Sequence, residues 1–214
     1  GGYVAAIRAA QLGADVTLIE KSHIGGTCLN EGCIPTKALL HSAELFEDAK
    51  NGASAGVIAS PELDFTKVME NKQAVVNRLV GGVKTLLKAN GVKVIDGEAS
   101  FVDKTTVKAV TKDGEQEIKS DKYIIAVGSV PAAVPIEGIN SPQCIDSTGA
   151  LSLEKLPKSM AVIGGGVIGV EMATAYSAFG TKVTVIEMLP RLLMNIDEDA
   201  VKIIASSLEE KGVD

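Results

Sequence analysis

Cys28 and Cys33 stand five positions apart in Gly26-Thr27-Cys28-Leu29-Asn30-Glu31-Gly32-Cys33-Ile34-Pro35-Thr36-Lys37, and they are the residues of this chain best suited to chemistry. Two sulfurs in reach of one another can exchange with an external thiol or disulfide. In an ideal helix this spacing would hold the two Cα atoms roughly 8 Å apart, beyond the usual disulfide range. Bonding therefore requires the helix to deform, which Gly32 and Pro35 both ease. A small constrained ring of this kind is readily reducible and suits a redox pair better than a structural staple. A helix starting at this point would also aim its first N–H groups at a phosphate or an anionic sulfur. Two readings stand beside this one. The cysteines could be unrelated packing residues, or part of a zinc site completed by His23 and His41, although no ligand spacing supports the latter. The third cysteine, Cys144, reads as a small packing residue.

The elements that position the pair follow from an internal repeat. Residues 2–20 can be laid without a gap on residues 169–187, matching Gly2 with Gly169, Ala6 with Ala173, Gly13 with Gly180, Val16 with Val183 and Glu20 with Glu187. In the second copy Met160-Ala161-Val162-Ile163 reads as a buried strand, Gly164-Gly165-Gly166-Val167-Ile168-Gly169 as a G-x-G-x-x-G turn, and the Ala-rich run to Phe179 as a helix. Lys182 to Glu187 is then a second strand ending in an acid. This strand-turn-helix-strand order is the dinucleotide fingerprint, in which the glycines allow close approach to a pyrophosphate and the acid accepts from a ribose 2′-hydroxyl. Glu187 takes that place in the second copy and Glu20 in the first. Because Gly2 is the counterpart of Gly169, the first strand and first two glycines of the first copy are expected to lie upstream, in a longer protein.

Between the copies the spacing predicts a helix from Thr27 to about Asn51 and another from Asp64 to about Asn90, with Val68, Val75, Leu79, Val83, Leu86 and Leu87 on its buried face. Short β runs follow at 92–95, 99–102, 105–110 and 115–118, with Asp113-Gly114 as a hairpin turn. Tyr123-Ile124-Ile125-Ala126-Val127 reads as a buried strand leading into Gly128. Proline and glycine at 131–142 mark a connection, and the boundary between units falls near 140–155. Asp197 to Lys211 forms a last helix with acids in its first turn, ended by Gly212, and Val213-Asp214 begins another strand. The expected fold class is α/β, two Rossmann-like dinucleotide-binding units with a small antiparallel β insertion.

Composition excludes several functions. The chain has 214 residues, a formal charge of -6, 46% hydrophobic and 22% charged residues, the balance of a globular protein with a real core. No basic cluster offers a nucleic-acid surface, no apolar run reaches membrane-span length, and three cysteines without an extracellular framework fit a reducing compartment. No metal site is expected.

The run Gly25 to Lys37, GGTCLNEGCIPTK, resembles the redox-active segment of the flavoprotein pyridine-nucleotide disulfide oxidoreductases. Its CLNEGCIPTK wording is most similar to the dihydrolipoamide dehydrogenase branch of that family. The likeness runs on through IIAVGSVP to GGGVIGVE. The resemblance implies an FAD-binding domain at 1–145 and the N-terminal part of an NAD-binding domain at 146–214, with a C-terminal dimerisation domain outside the chain. It implies that Gly2, Glu20, Lys21, Gly26, Thr27 and Cys28 contact FAD, together with Lys37, Ala99 and Ala126-Val127-Gly128. On the NAD side it implies Gly164, Gly166, Val167, Ile168, Gly169, Glu171 and Glu187, the last favouring NAD over NADP.

By the same resemblance Cys28 is the interchange thiol, Cys33 the sulfur beside the flavin, and Lys37 pairs with Glu171. The acid-base group would be a His-Glu pair from the other subunit of a homodimer. One departure is Val127, where the family usually has a threonine, so a hydroxyl is lost. The implied reaction is oxidation of dihydrolipoamide, carried on a lipoyl domain of a 2-oxo acid dehydrogenase or glycine cleavage complex, in the cytoplasm or, in a eukaryote, the mitochondrial matrix. A mercuric, glutathione or other NAD(P)H-dependent disulfide reductase is the alternative, and a non-enzymatic nucleotide-binding module a more distant one.

Overall fold

The computed structural model describes residues 1–132 and 134–214. The chain packs into two compact units, residues 1–30 with 76–130, and residues 31–75 with 131–214. No helix among the described residues is long and apolar enough to cross a membrane.

In the first unit the small residues of Gly2–Gln11 form helix α1, and the β-branched run of Thr17–Glu20 forms strand β1. β1 pairs in parallel with β2 (Lys93–Asp96), Thr17 opposite Lys93 and Glu20 opposite Asp96. Ala6, Val83, Leu87 and Val92 form the unit's core. Helix α2 is the short Gly26–Asn30. An antiparallel sheet of β3 (Glu98–Phe101), β4 (Thr106–Thr111) and β5 (Gly114–Lys119) forms the expected insertion. The hairpin turns at Lys112-Asp113, with Thr111 paired to Gly114.

The second unit holds α3 (Cys33–Asn51), α5 (Ser147–Ala150), β6 (Ser159–Ile163), α6 (Val167–Ala178), β7 (Lys182–Ile186) and α7 (Glu198–Glu210). β6 and β7 are parallel neighbours, Ser159 opposite Lys182 and Ile163 opposite Ile186. α6 buries Val170, Met172, Ala173, Ala175, Tyr176 and Ala178, the habit of a helix that is apolar all round. Leu39 and Ala43 of α3 lie in the same cluster, and burying a leucine fully, as Leu39 is, contributes about 1.5–3 kcal/mol. The packing units therefore cross the sequence division at 145, because α3 buries its apolar face with α6. Tyr176 donates its hydroxyl to Ala150 O, and burial pushes its pKa up to about 12. The last helix is as expected: Asp197 caps it by accepting from Asp199 N–H at 3.0 Å, and Asp214 pairs with β7 through Val183 O and Val185 N–H.

Helix α4 (Phe65–Ala89) begins in the second unit and ends in the first. Its buried positions are Phe65, Lys72, Val76, Val83 and Leu87, while Leu79 and Leu86 are exposed, so the expected face is rotated over part of its length. Among the buried positions is Lys72, whose aliphatic stem is buried while its Nζ donates to Leu151 O at 2.7 Å. Burial without a carboxylate partner pushes the Lys72 ammonium below its ordinary pKa.

Three further expectations are corrected. The single helix from Thr27 to Asn51 is two, α2 and α3, broken at Glu31-Gly32, where Gly32 leaves helical angles at φ -142°, ψ -115°. Residues 123–127 are not a buried strand: Ile124, Ile125 and Val127 are 69%, 70% and 87% exposed. The parallel sheet of that unit has β1 and β2 as its strands, and no described segment pairs with 123–127. Residues 92–95, read with the insertion, instead supply β2 of the parallel sheet.

Candidate active site

The turn after β6 is shaped by close backbone approach. Gly164 holds φ +108°, a conformation side chains rarely adopt, and its N–H donates to Ile186 O at 2.8 Å. At Gly169 an added Cβ would stand 2.0 Å from Gly164 O and 3.2 Å from Val162 Cγ1, so only glycine lets α6 start this near the strand. Around Gly164 and Gly166 an added Cβ would meet nothing within 4 Å. Those two glycines therefore present an open, unobstructed backbone. α6 begins with no side-chain cap, and Val167 and Ile168 of its first turn are exposed. Uncapped N–H groups at a helix start beside open glycines fit the pyrophosphate of a dinucleotide.

Glu187 lies one residue past β7. Its Oε2 accepts from Gly165 N–H at 2.7 Å and its Oε1 from Leu189 N–H at 2.8 Å. The bonds from Leu189 and Gly165 hold this carboxyl below the usual carboxylate pKa. An ionised carboxylate has about four acceptor positions, so two donors leave room for a ribose hydroxyl. Glu187 thus also anchors the glycine turn, a task the sequence pattern did not announce. Because the folded pKa is depressed, this anchoring is complete above the ordinary glutamate value of about 4.3 and is lost as pH falls through the lower folded value. In an NMR titration the midpoint of the Gly165 and Leu189 amide shifts should lie below that ordinary value. A midpoint at or above the ordinary value would show that the anchor does not form.

In the same unit, Cys33 is the first residue of α3 and is exposed. Thr36 N–H and Thr36 Oγ1 both donate to Gly32 O, at 3.1 and 2.7 Å, and fix that helix start. One turn on, Lys37 Nζ reaches Glu171 Oε1 of α6 at 2.5 Å, with Glu171 the more buried partner at 23% side-chain exposure. The pairing implied by the resemblance is therefore formed. It is charge-assisted, and the packing of α3 with α6 sets its geometry.

In the first unit, Gly2 lies beside Ala126, where an added Cβ would meet Ala126 Cβ at 3.5 Å. Val127 and Gly128 continue that exposed segment. Glu20 ends β1 and accepts from Ser22 N–H at 3.0 Å, while its carbonyl accepts from Gly97 N–H at 2.9 Å at the entry to β3. Ala99 follows on β3, exposed and opposite Ala109, and Lys21 Nζ is 3.5 Å from Glu98. Gly26, Thr27 and Cys28 are exposed on α2. Asn30 closes that helix by donating to Ile24 O at 3.1 Å and Gly26 O at 3.0 Å, a tie that sequence reading missed. The boundary between the units falls at Asn30 and Glu31, between the two cysteines.

Cys144 is exposed, with Ser141 Oγ 3.4 Å from its sulfur, so it sits in a turn instead of packing in a core. His23 and His41 are exposed as well. Among the described residues no group of three or more His, Cys, Asp or Glu is placed to hold a metal ion.

The family model described as pyridine nucleotide-disulphide oxidoreductase matches residues 1–214. The chain belongs to the pyridine nucleotide-disulphide oxidoreductases. Similar members of that family include the dihydrolipoyl dehydrogenase of Geobacillus stearothermophilus, 48% identical over 100% of this chain and 46% of that protein. Another is the dihydrolipoyl dehydrogenase of Bacillus subtilis (strain 168), 46% identical over 99% of this chain and 45% of that protein. A solved structure of the HOCl-induced flavoprotein disulfide reductase RclA from Escherichia coli, a Cu(II) complex, superposes with a TM-score of 0.87 at 36% identity, over 100% of this chain and 46% of that one. This oxidoreductase chain thus spans about half the length of the curated relatives it matches.

Proposed function

We propose that the protein is a flavoprotein disulfide oxidoreductase of the dihydrolipoamide dehydrogenase type, oxidising dihydrolipoamide to lipoamide and reducing NAD. Residues 1–145 would hold FAD and residues 146–214 would begin the NAD domain. The observation that carries the reading is the cysteine segment itself: Cys33 opens α3, and Lys37 one turn later is held on Glu171 at 2.5 Å. Relatives named dihydrolipoyl dehydrogenase at 46–48% identity support the choice within the family. FAD and NAD, when bound, supply the electron transfer that side chains cannot.

The chain's own part is thiol exchange. A substrate thiolate attacks Cys28 Sγ and breaks the Cys28–Cys33 bond, and Cys33 leaves as a thiolate at the start of α3. There the positive end of the α3 dipole favours negative charge. The second substrate thiol gives its proton to a base and attacks the sulfur joined to Cys28, closing the lipoamide ring and releasing Cys28. The substrate has then lost two electrons and two protons, and the cysteine pair holds the electrons that pass on to NAD. Lys37 holds positive charge on the Cys33 helix, and Glu171 fixes its position. Gly164 and Gly166 admit the dinucleotide to the backbone and Gly169 lets α6 start close beside the turn, with Val167 and Ile168 on the first turn and Glu187 at the ribose. Gly2, Glu20, Lys21, Ala99 and Ala126–Gly128 do the same for FAD, together with Gly26 and Thr27.

We further propose that the base is a His-Glu pair from the other subunit of a homodimer, that the substrate is carried on a lipoyl domain, and that the protein works in the cytoplasm. Anaerobic titration of the whole flavoprotein with dihydrolipoamide tests the central reading. The protein should take up more electrons than its flavin alone can hold and develop a long-wavelength thiolate–flavin band. Uptake limited to the flavin would refute a redox-active cysteine pair. The likeness to RclA favours a second reading, a disulfide reductase acting on another substrate. NADH-dependent reduction of lipoamide, compared with that of other disulfides, separates the two.

A further inference from the structure

The middle residue of the glycine turn is gripped on both sides of its backbone. Gly165 N–H donates to Glu187 Oε2, and Gly165 O accepts from Leu193 N–H at 2.9 Å. Leu192 closes over the same residue, so that a Cβ at Gly165 would lie 2.4 Å from Leu192 Cδ2. All of these holds come from residues 187–193, at the beginning of the loop between β7 and α7.

That loop is not regular structure and has a conformation to pay for in Leu193, which stands at φ +50° although it is not glycine. Its side chain is buried, and its backbone is caught between Gly165 and Arg191. Arg191 Nη1 donates to Leu193 O at 3.2 Å and Ile196 O at 3.1 Å, and Nη2 donates to Met194 O at 3.2 Å. Three hydrogen bonds from one planar guanidinium define where the loop turns. Arg191 is also the cation nearest in sequence after Glu187, where an NADP-dependent site would need a positive group for the 2′-phosphate. Here that group is turned to the protein's own carbonyls.

We propose that Arg191 is a positioning residue for the dinucleotide site: it clamps the 188–196 loop so that Leu193 and Leu192 hold Gly165 in place, and this commitment withholds it from a 2′-phosphate. The exclusion of NADP then has two parts, the charge of Glu187 and the sequestration of Arg191. The inference rests on the NAD reading of residues 164–187 given above.

The test uses the whole FAD-loaded protein. In Arg191→Ala the KM and Kd for NAD should rise about tenfold or more, the scale of losing hydrogen bonds from a charged group. kcat should fall far less, and reduction of the flavin by dihydrolipoamide without NAD should keep its rate. Arg191→Lys should recover only part of the affinity, because an ammonium lacks the planar fork. An independent arm needs no change at Arg191: Glu187→Ala should weaken NAD without making NADP a good ligand. The proposal is overturned if Arg191→Ala leaves NAD affinity at the wild-type value, if it slows the NAD-free step equally, or if Glu187→Ala binds NADP as tightly as the wild type binds NAD. A wild-type protein that binds neither dinucleotide would instead overturn the NAD reading itself.

Discussion

Cys28→Ser and Cys33→Ser should each lower dihydrolipoamide oxidation by roughly four to six orders of magnitude, the scale seen when one member of a catalytic unit is removed. In the proposed reaction the two sulfurs act as one device: without Cys28 nothing would accept the substrate thiolate, and without Cys33 there would be no bond for that attack to break. The double variant should therefore be no worse than either single one. Reduction of an artificial electron acceptor by NADH, which needs the flavin and the dinucleotide turn but no disulfide, should persist in all three. Steady-state rates with lipoamide and with such an acceptor check this together. A serine variant that kept more than about a hundredth of the lipoamide rate would exclude the cysteine pair as the route of electrons, since so small a loss is typical of auxiliary groups.

Gly169→Ala should bring the second large loss, and for a different reason. The new methyl would stand 2.0 Å from Gly164 O, a backbone atom that cannot rotate away, so α6 or the glycine turn must move. Overpacking of this kind costs about 1–3 kcal/mol in stability, and the same shift should weaken NAD binding by about 10- to 100-fold. Gly166→Ala is the informative contrast. Its φ of -75° suits alanine and its Cβ would meet nothing within 4 Å, so the thermal midpoint should hold. NAD affinity should still fall, because the proposed function puts the dinucleotide in that open space. Thermal midpoints and NAD affinities of the two variants separate damage to the fold from damage to the site. Equal affinities for Gly166→Ala and the wild type would move the dinucleotide away from this turn.

The second nucleotide unit was legible in the sequence because its signals are local and agree. β-branched residues make β6 and β7, alanines make α6, and Gly164, Gly166 and Gly169 occur where a turn needs them. Asp113-Gly114 marked the hairpin for the same reason, although the two turn residues are Lys112 and Asp113 and Gly114 is the first residue of β5. Residues 123–127 misled because their apolar run fits a buried strand only when another strand lies beside it, and composition says nothing about a neighbour. Lys72 carried no signal in the sequence: an apolar pattern does not mark a lysine, yet its long stem is buried where its end finds the carbonyl of Leu151. The helix break between the cysteines falls at the weakness that Gly32 made visible, but that the helix breaks there was not legible, since Gly32 also tolerates helical angles. Of the candidate site, the cysteine segment and Glu187 were readable from motif spacing, and the pairing of Lys37 with Glu171 only from the family resemblance. Arg191 and Asn30 were not, because each acts on backbone carbonyls, which every residue has and no side-chain pattern marks.

Lys72 gives the molecule an internal clock. Amine-reactive reagents modify the exposed lysines at once, but they can reach this one only when the helix bearing it lifts from Leu151 O. Where closing is faster than labelling, the slow incorporation at Lys72 reports the equilibrium for local opening, without any engineered probe.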